Sequence, residues 1–340
     1  MRIVVVGGTG SIGTALLDVA AVRGHKLVGV SRREPAPGPP YADVEWHPID
    51  IAERTAFTRL VEAFDGADAV VHAAWLIQPS RERAHLHKVN VEGTGVLLDA
   101  VAVAGVPHVV YLSSVGAYAP KDRGGPVTES WPTTGIDTSD YSRDKAEVEA
   151  MLDRFEAARP GIAVTRLRPA LVLQRRSAAE LRRYFTGRLV PRALWKLVRS
   201  GRLPALPLPS GLALQFVHAA DVATAALAAI DRQYRGAVNL AADPIMDSGA
   251  LAAAVGARPL TVPPSAVRAL MAGAWRARLL PMPASWLDLA MGAPTMSADL
   301  ARAELDWSPR WNATETLGDL LAGLAEGEGV PASPPLRPSP

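Results

Sequence analysis

The sequence predicts an α/β protein built on a doubly wound parallel sheet, followed by a smaller, mostly helical lobe. Three observations carry that expectation. Short β-branched runs alternate with longer helical patterns through the first half, a glycine cluster joins the first run to the first helix, and the pattern loosens after Pro169. Such alternation means parallel strands joined by crossover helices and covered on both faces.

In order, residues 3–6 predict a buried strand, 11–23 a helix, 26–31 a strand, 54–64 a helix and 69–72 a strand. Residues 82–104 predict one helix with Gly93 and Gly95 as close-packing positions. Residues 108–113 predict a strand, 141–158 a helix carrying Tyr141, Lys145 and Glu149 on one face, and 162–168 the next strand. Beyond Pro169 come an arginine-rich stretch (175–202), a proline-punctuated loop (203–209), a short strand (215–217), an alanine-rich helix (219–230) and a strand (237–240). The chain to about Gly327 is helical with proline breaks, and residues 331–340 have the composition of a disordered tail. The expected organisation is a dinucleotide-binding domain over 1–174 to which 214–245 return, a substrate lobe from 175–213 and 246–328, and a tail over 329–340.

Composition narrows the function classes. Of 340 residues, 49% are hydrophobic and 21% charged, as in a soluble globular protein. A net charge of +2 gives no electrostatic footprint for nucleic acid. No cysteine is present, which removes disulfides, thiolate metal sites and cysteine nucleophiles. The seven histidines have no ligand spacing, so no metal is expected, and His218 is expected to be structural. No apolar run reaches the length of a membrane span and no cleavable signal pattern opens the chain, so the cytoplasm is the expected location.

The first strand ends in Gly7-Gly8-Thr9-Gly10-Ser11-Ile12-Gly13 and opens a helix. Glycines there permit a tight turn and close backbone approach to a pyrophosphate, and the helix N-terminus offers free N–H groups and a positive dipole end. This is a Rossmann-type dinucleotide turn in its confirming context. Its glycines fit two registers, Gly8/Gly10/Gly13 and Gly7/Gly10/Gly13. The second strand ends in Ser31-Arg32-Arg33 with no carboxylate until Glu34. An acid there would grip a ribose 2′-hydroxyl, whereas a guanidinium holds a 2′-phosphate, so NADP(H) is favoured over NAD(H), with Arg32 the first contact and Arg33 the second.

Tyr141-Ser142-Arg143-Asp144-Lys145 is a Y-x-x-x-K, which on a helix brings an ammonium toward the phenol and lowers its pKa. Ser113-Ser114 ends the strand upstream. Together these residues resemble the Ser-Tyr-Lys triad of extended short-chain dehydrogenases/reductases of the epimerase/dehydratase type, and Gly7/Gly10/Gly13 resembles that family's turn. The likeness extends through Asp50-Ile51 and Ala73-Ala74 beside the adenosine, Asn90, Arg168-Pro169 near the nicotinamide, Phe216-Val217-His218-Ala219-Ala220-Asp221, and Leu305-Asp306-Trp307-Ser308-Pro309, about residues 1–320 in all. The resemblance implies Tyr141 as general acid or base and Lys145 as the group that tunes it and holds the nicotinamide ribose. It implies Ser114 as the substrate-orienting hydroxyl. Asn90 matches a relay-water asparagine and equally fits a buried asparagine bonded to backbone.

Departures from the family's pattern favour plain carbonyl reduction. Val115-Gly116 stand where dehydratases carry an acid pair, and Ala213-Leu214-Gln215 where sugar-nucleotide epimerases usually carry an arginine. The expected activity is reduction of a ketone or aldehyde on a small, largely apolar metabolite, with Trp75, Ile77 and Val115 as candidate substrate contacts. These residues equally fit core packing. A nucleotide-sugar epimerase with tightly bound NAD(P) is the alternative, and a non-catalytic NAD(P) sensor a more distant one. The stretch Arg175, Arg176, Arg182, Arg183, Arg188, Arg192, Lys196, Arg199 and Arg202 suits a solvated face, an anionic substrate or a membrane surface. The partner expected is the small-molecule substrate, with homodimerisation through the two long helices beside the site common in the family.

Overall fold

A computed structural model describes residues 1–121, 124–186 and 192–338. Its strands are β1 (Arg2–Val6), β2 (Lys26–Ser31), β3 (Glu45–Pro48), β4 (Ala69–His72), β5 (His108–Leu112), β6 (Ala163–Pro169), β7 (Leu171–Leu173), β8 (Ala205–Pro209), β9 (Ala213–His218), β10 (Gly236–Leu240), β11 (Ala242–Asp247) and β12 (Arg258–Val262). Seven of them form one parallel sheet in the order β10-β6-β5-β4-β1-β2-β3. Val28, Val4, Val70, Val109 and Val164 pair in register across it and are fully buried. β-branched side chains suit this doubly covered surface, and each one buried contributes about 1.5–3 kcal/mol. One face packs under the helices Ala56–Phe64, Gly93–Ala104 and Asp140–Ala158, the other under Ser11–Val22 and Ala219–Asp231. The chain reverses direction across the sheet between β1 and β4. That switch point, at the carboxyl ends of the strands, is where ligands of such sheets bind.

The predicted helix over 82–104 is one helical run interrupted by a π turn at Lys88–Glu92. Gly93 is required there, since a Cβ would lie 2.8 Å from Ile51 Cγ1. Gly95 is not, because its Cβ would meet Met151 only at ordinary contact, 3.7 Å.

The later segments differ more from expectation. β9 does not rejoin the central sheet but pairs with β7 and β11 in a three-stranded one, whereas β10 does return, beside β6. Residues 205–209, expected as loop, form β8, which pairs with β12 in a two-stranded parallel sheet. Pro207 and Pro209 are tolerated because such a sheet has only edge strands. The arginine-rich stretch is broken into short helical pieces, and three of its arginines are ion-paired. Arg175 bridges Glu328 (2.6 Å) and Glu326 (2.7 Å), Arg176 bridges Asp18, and Arg199 bridges Glu326. Arg188 and the Arg192 side chain lie outside the described residues.

The expected disordered tail is instead packed as far as it is described, to residue 338; residues 339 and 340 lie outside the described residues. Val330 and Leu336 are buried in the core cluster beside Tyr41 and Val44, and Ser333 is fully buried. Two apolar anchors and one satisfied hydroxyl are enough to order a segment whose composition has no periodicity to announce it.

Candidate active site

At the head of β1, Gly7 takes φ +89°, and a Cβ on it would lie 2.5 Å from the Ala74 nitrogen. Only glycine lets this turn pass so close to the end of β4. A Cβ on Gly13 would lie 2.2 Å from the Gly7 carbonyl oxygen, so the helix Ser11–Val22 starts against the turn itself. Gly8 faces Trp46, whose ring also covers Gly29. Packing thus requires glycine at positions 7 and 13, the two ends of the Gly7/Gly10/Gly13 register. Gly10 differs from its neighbours: a Cβ there would meet only the Gly7 oxygen, at 3.4 Å, so packing within the protein does not demand glycine. A bare backbone opening a helix N-terminus fits a pyrophosphate approaching from outside. Ser11 begins that helix, and its hydroxyl accepts from Gln174 Nε2 (2.8 Å), which leaves its own proton free to donate outward. Ile12 packs partly against the core.

Arg32 and Arg33 are exposed just past β2, and neither is ion-paired to a described residue. The Ser31 hydroxyl donates to the Arg33 carbonyl (2.8 Å) and fixes the backbone between them. Asp50 accepts from the Ala52 N–H (3.0 Å), and Ile51 is buried under the Gly93 turn. Pro169 ends β6 opposite Leu240.

The reactive-looking groups meet at the ends of β4 and β5. Ser139 caps the helix Asp140–Ala158, its hydroxyl accepting from the Ser142 N–H, with Asp140 in the first turn. Tyr141 is half-buried, edge-on to Trp75 (6.0 Å) and tilted against Trp286 (5.5 Å), which meets Phe185 edge-on (4.9 Å). Its ring rests on Gly116, where a Cβ would lie 2.9 Å from Tyr141 Cε1. The absent acid at this position is thus also a steric need: any side chain would displace the ring. Burial pushes the phenol up to about 12, against a hydrogen bond with Ser114. Ser114 also caps the short turn Val115–Ala117, accepting from the Gly116 N–H (3.0 Å).

Lys145 is buried one turn on. Its ammonium donates to the Leu112 carbonyl (2.7 Å) and the Tyr111 hydroxyl (3.1 Å) and lies 3.6 Å from the centre of the Trp75 ring. Burial holds it well below the ordinary lysine value, although Glu149 and Asp144 pull the other way. The expected lowering of the tyrosine pKa by this lysine is not what the structure has. A carbonyl, a phenol and an indole face take up the ammonium, which stands 6.0 Å from the centre of the Tyr141 ring.

Asn90 sits in the π turn and clasps the backbone of Leu76: its Oδ1 accepts from the N–H (2.8 Å) and its Nδ2 donates to the carbonyl (3.1 Å). This is the backbone-bonding alternative, and it fixes the segment that follows β4. A cleft beside Tyr141 is lined by Leu76, Ile77, Pro79, Leu86, Pro283 and Trp286 among others. Ile77 is in it as expected; Trp75 flanks Tyr141 and Lys145 instead, and Val115 belongs to the core under the sheet. Gln174, Phe185 and Trp286 could not be found from the sequence, because they lie far along the chain in segments without motif.

Behind the site runs a buried polar network. Arg168 donates to both oxygens of Glu149 (2.9 and 2.8 Å), to the Tyr118 hydroxyl (3.0 Å) and to the Glu129 carbonyl (2.9 Å), while Ser113 donates to Glu149. Ser113 is thereby the structural neighbour and Ser114 the one facing Tyr141. Asp221 accepts from the N–H groups of Arg310 (3.0 Å) and Trp311 (3.1 Å), and His218 stacks on Trp311 (4.5 Å), so these two motifs are a latch between distant segments. His87, Asp144 and Glu147 bring ligand-type atoms within 4.8 Å of one another. Arg83, however, grips Asp144, and His87 bonds Glu147 (3.1 Å), which makes the cluster an ion-pair network.

Residues 3–241 match the model of the NAD dependent epimerase/dehydratase family, and the chain belongs to that family. Within it the seven-stranded sheet and helical later part are those of an extended short-chain dehydrogenase/reductase. A Stigmatella aurantiaca 4-hydroxy-2-methyl-3-oxo-4-farnesyl-3,4-dihydroquinoline-1-oxide ketoreductase is 26% identical over 345 residues, covering 97% of this chain and 98% of that protein. An uncharacterized protein of Mycobacterium tuberculosis is 28% identical over 330 residues, covering 95% of this chain; the chain spans only 30% of that relative's length. The structure of a Stenotrophomonas maltophila UDP-glucose-4-epimerase with bound NAD superposes with a TM-score of 0.70 at 21% identity, covering 96% and 98% of the two chains, a likeness of fold. Family members use NAD(P). No helix among the described residues is long and apolar enough to cross a membrane.

Proposed function

We propose that this chain is an NADP(H)-dependent reductase of a ketone or aldehyde on a small, largely apolar metabolite. The observation that carries this reading is the lining of the cleft beside Tyr141: aliphatic and aromatic side chains interleaved with as many polar ones, two of them acids, and no arginine or lysine among its described residues. A diphosphate-bearing substrate calls for cations there. The full-length match to a ketoreductase named for a farnesylated ring agrees with an apolar carbonyl substrate.

The turn at Gly7, Gly10 and Gly13 would hold the pyrophosphate, the exposed Arg32 and Arg33 the 2′-phosphate, and Lys145 the nicotinamide ribose. The reduced nicotinamide, when bound, supplies the hydride. Tyr141 carries the proton: with its phenol pushed up to about 12 it is fully protonated at neutral pH, as a donor to a carbonyl oxygen must be. Ser114, already hydrogen-bonded to Tyr141, orients that oxygen. Trp75, Trp286 and Phe185 keep water from the transfer and present an apolar wall.

Mass analysis of the purified protein, followed by NADPH and NADH titration, tests the reading. Exchangeable NADPH that is consumed with a carbonyl substrate is expected. A tightly retained dinucleotide with no net NADPH consumption would instead establish an epimerase cycle.

A further inference from the structure

We propose that residues 330–336 are a positioning strap for the dinucleotide site, joining the pyrophosphate turn to the loop that carries Arg32 and Arg33. This rests on the reading of the Gly7–Gly13 turn as that site. Ser333 is fully buried, and its hydroxyl donates to the Thr9 carbonyl (2.8 Å) in the middle of the turn. The Ser333 hydroxyl oxygen also accepts from the Leu336 N–H (3.2 Å) and is hydrogen-bonded to Tyr41, which in turn bonds Thr14 (2.8 Å) on the first helix. One residue earlier, the Ala332 carbonyl accepts from the Ala36 N–H (3.0 Å), four residues past Arg32. Ala36 and Tyr41 bracket the loop that leaves the end of β2.

The strap is itself closed and anchored. The Val330 N–H donates to the Leu336 carbonyl (2.9 Å) and the Ser333 N–H to the Val330 carbonyl (3.0 Å). Val330 and Leu336 lie in the core, and Arg183 from the other lobe donates to the Pro335 carbonyl. A carbonyl in a phosphate-binding turn competes for orientation with the N–H groups beside it. The Thr9 carbonyl shares a peptide plane with the Gly10 N–H, which donates to the Gly7 carbonyl (3.0 Å), so holding that oxygen toward Ser333 holds the turn closed. The strap thus sets the two ends of the adenosine diphosphate region relative to one another.

The test is binding of NADPH and NADH to the full chain by fluorescence titration. Ser333→Ala is expected to raise the NADPH Kd at least about fivefold while the folded spectrum is kept, and Ser333→Thr, which keeps the hydroxyl, to restore most of the affinity. A Kd within twofold of wild type in a folded Ser333→Ala protein would overturn the strap. Hydrogen exchange on the wild type decides the matter even where that variant does not fold. By reciprocity of coupling, saturating NADPH must slow exchange at the Ala36 and Leu336 amides, and unchanged exchange there would refute the proposal. Wild-type protein that binds neither dinucleotide would overturn the site reading and the strap together.

Discussion

Lys145 and Glu149 lie one turn apart on the same helix face, both almost fully buried, yet the fold treats their charges in opposite ways. Glu149 is gripped by both arms of Arg168 and by Ser113, and these partners outweigh the burial that would raise it, holding the carboxyl below its ordinary value. Lys145 has a carbonyl, a phenol and aromatic faces but no carboxylate in ion-pairing contact among the described residues, and burial dominates. A saturated pair fixes architecture, whereas a buried cation held only by neutral groups keeps a proton that a ligand can move. The first belongs to the scaffold behind the candidate site and the second to the face that carries Tyr141.

The largest expected effect breaks the scaffold side. Glu149→Ala leaves the Arg168 guanidinium buried without its counter-charge and should cost about 3–5 kcal/mol in chemical denaturation. A loss below 1 kcal/mol would show that the network is not what holds this face. Next, Tyr141→Phe should lower turnover at least about a hundredfold with NADPH affinity within a few-fold, as for loss of a general acid; near-normal turnover would remove the proposed mechanism. Arg32→Ala should weaken NADPH about tenfold, the worth of one charge-assisted hydrogen bond, and leave NADH unchanged. Equal effects on both would place the 2′-phosphate elsewhere. The smallest effect is one of pH. Lys145 has its folded value below the ordinary 10.5, so between the two only the unfolded chain binds the proton. Stability should therefore rise with pH through that window, and Lys145→Met should flatten the rise in denaturation midpoints measured from neutral pH to pH about 10.

Much of the fold was legible because its signals are local. Strand runs such as residues 69–72 matched to the residue, since β-branched stretches buried on both faces leave little choice. The placement of the glycine turn and of Tyr141 and Lys145 on one helix was legible for a related reason: glycine geometry and i,i+4 spacing are fixed by the backbone. The partners were not. That Lys145 would turn to Leu112 and Trp75, that Gly116 makes room for a phenol ring, or that Asn90 clasps Leu76 depends on contacts between segments fourteen or more residues apart.

The sequence alone therefore determined the doubly wound sheet, the glycine turn that opens the first helix and the identities of the polar groups, because each is written in short-range pattern. Tertiary structure alone decided which glycines of the turn packing requires, the ordering of residues 330–336 against Thr9, the separation of β9 from the central sheet and the opposite fates of two buried charges. Those outcomes turn on which groups meet across the core, where a hydrogen bond or a clash of a few tenths of an ångström settles what composition and periodicity leave open.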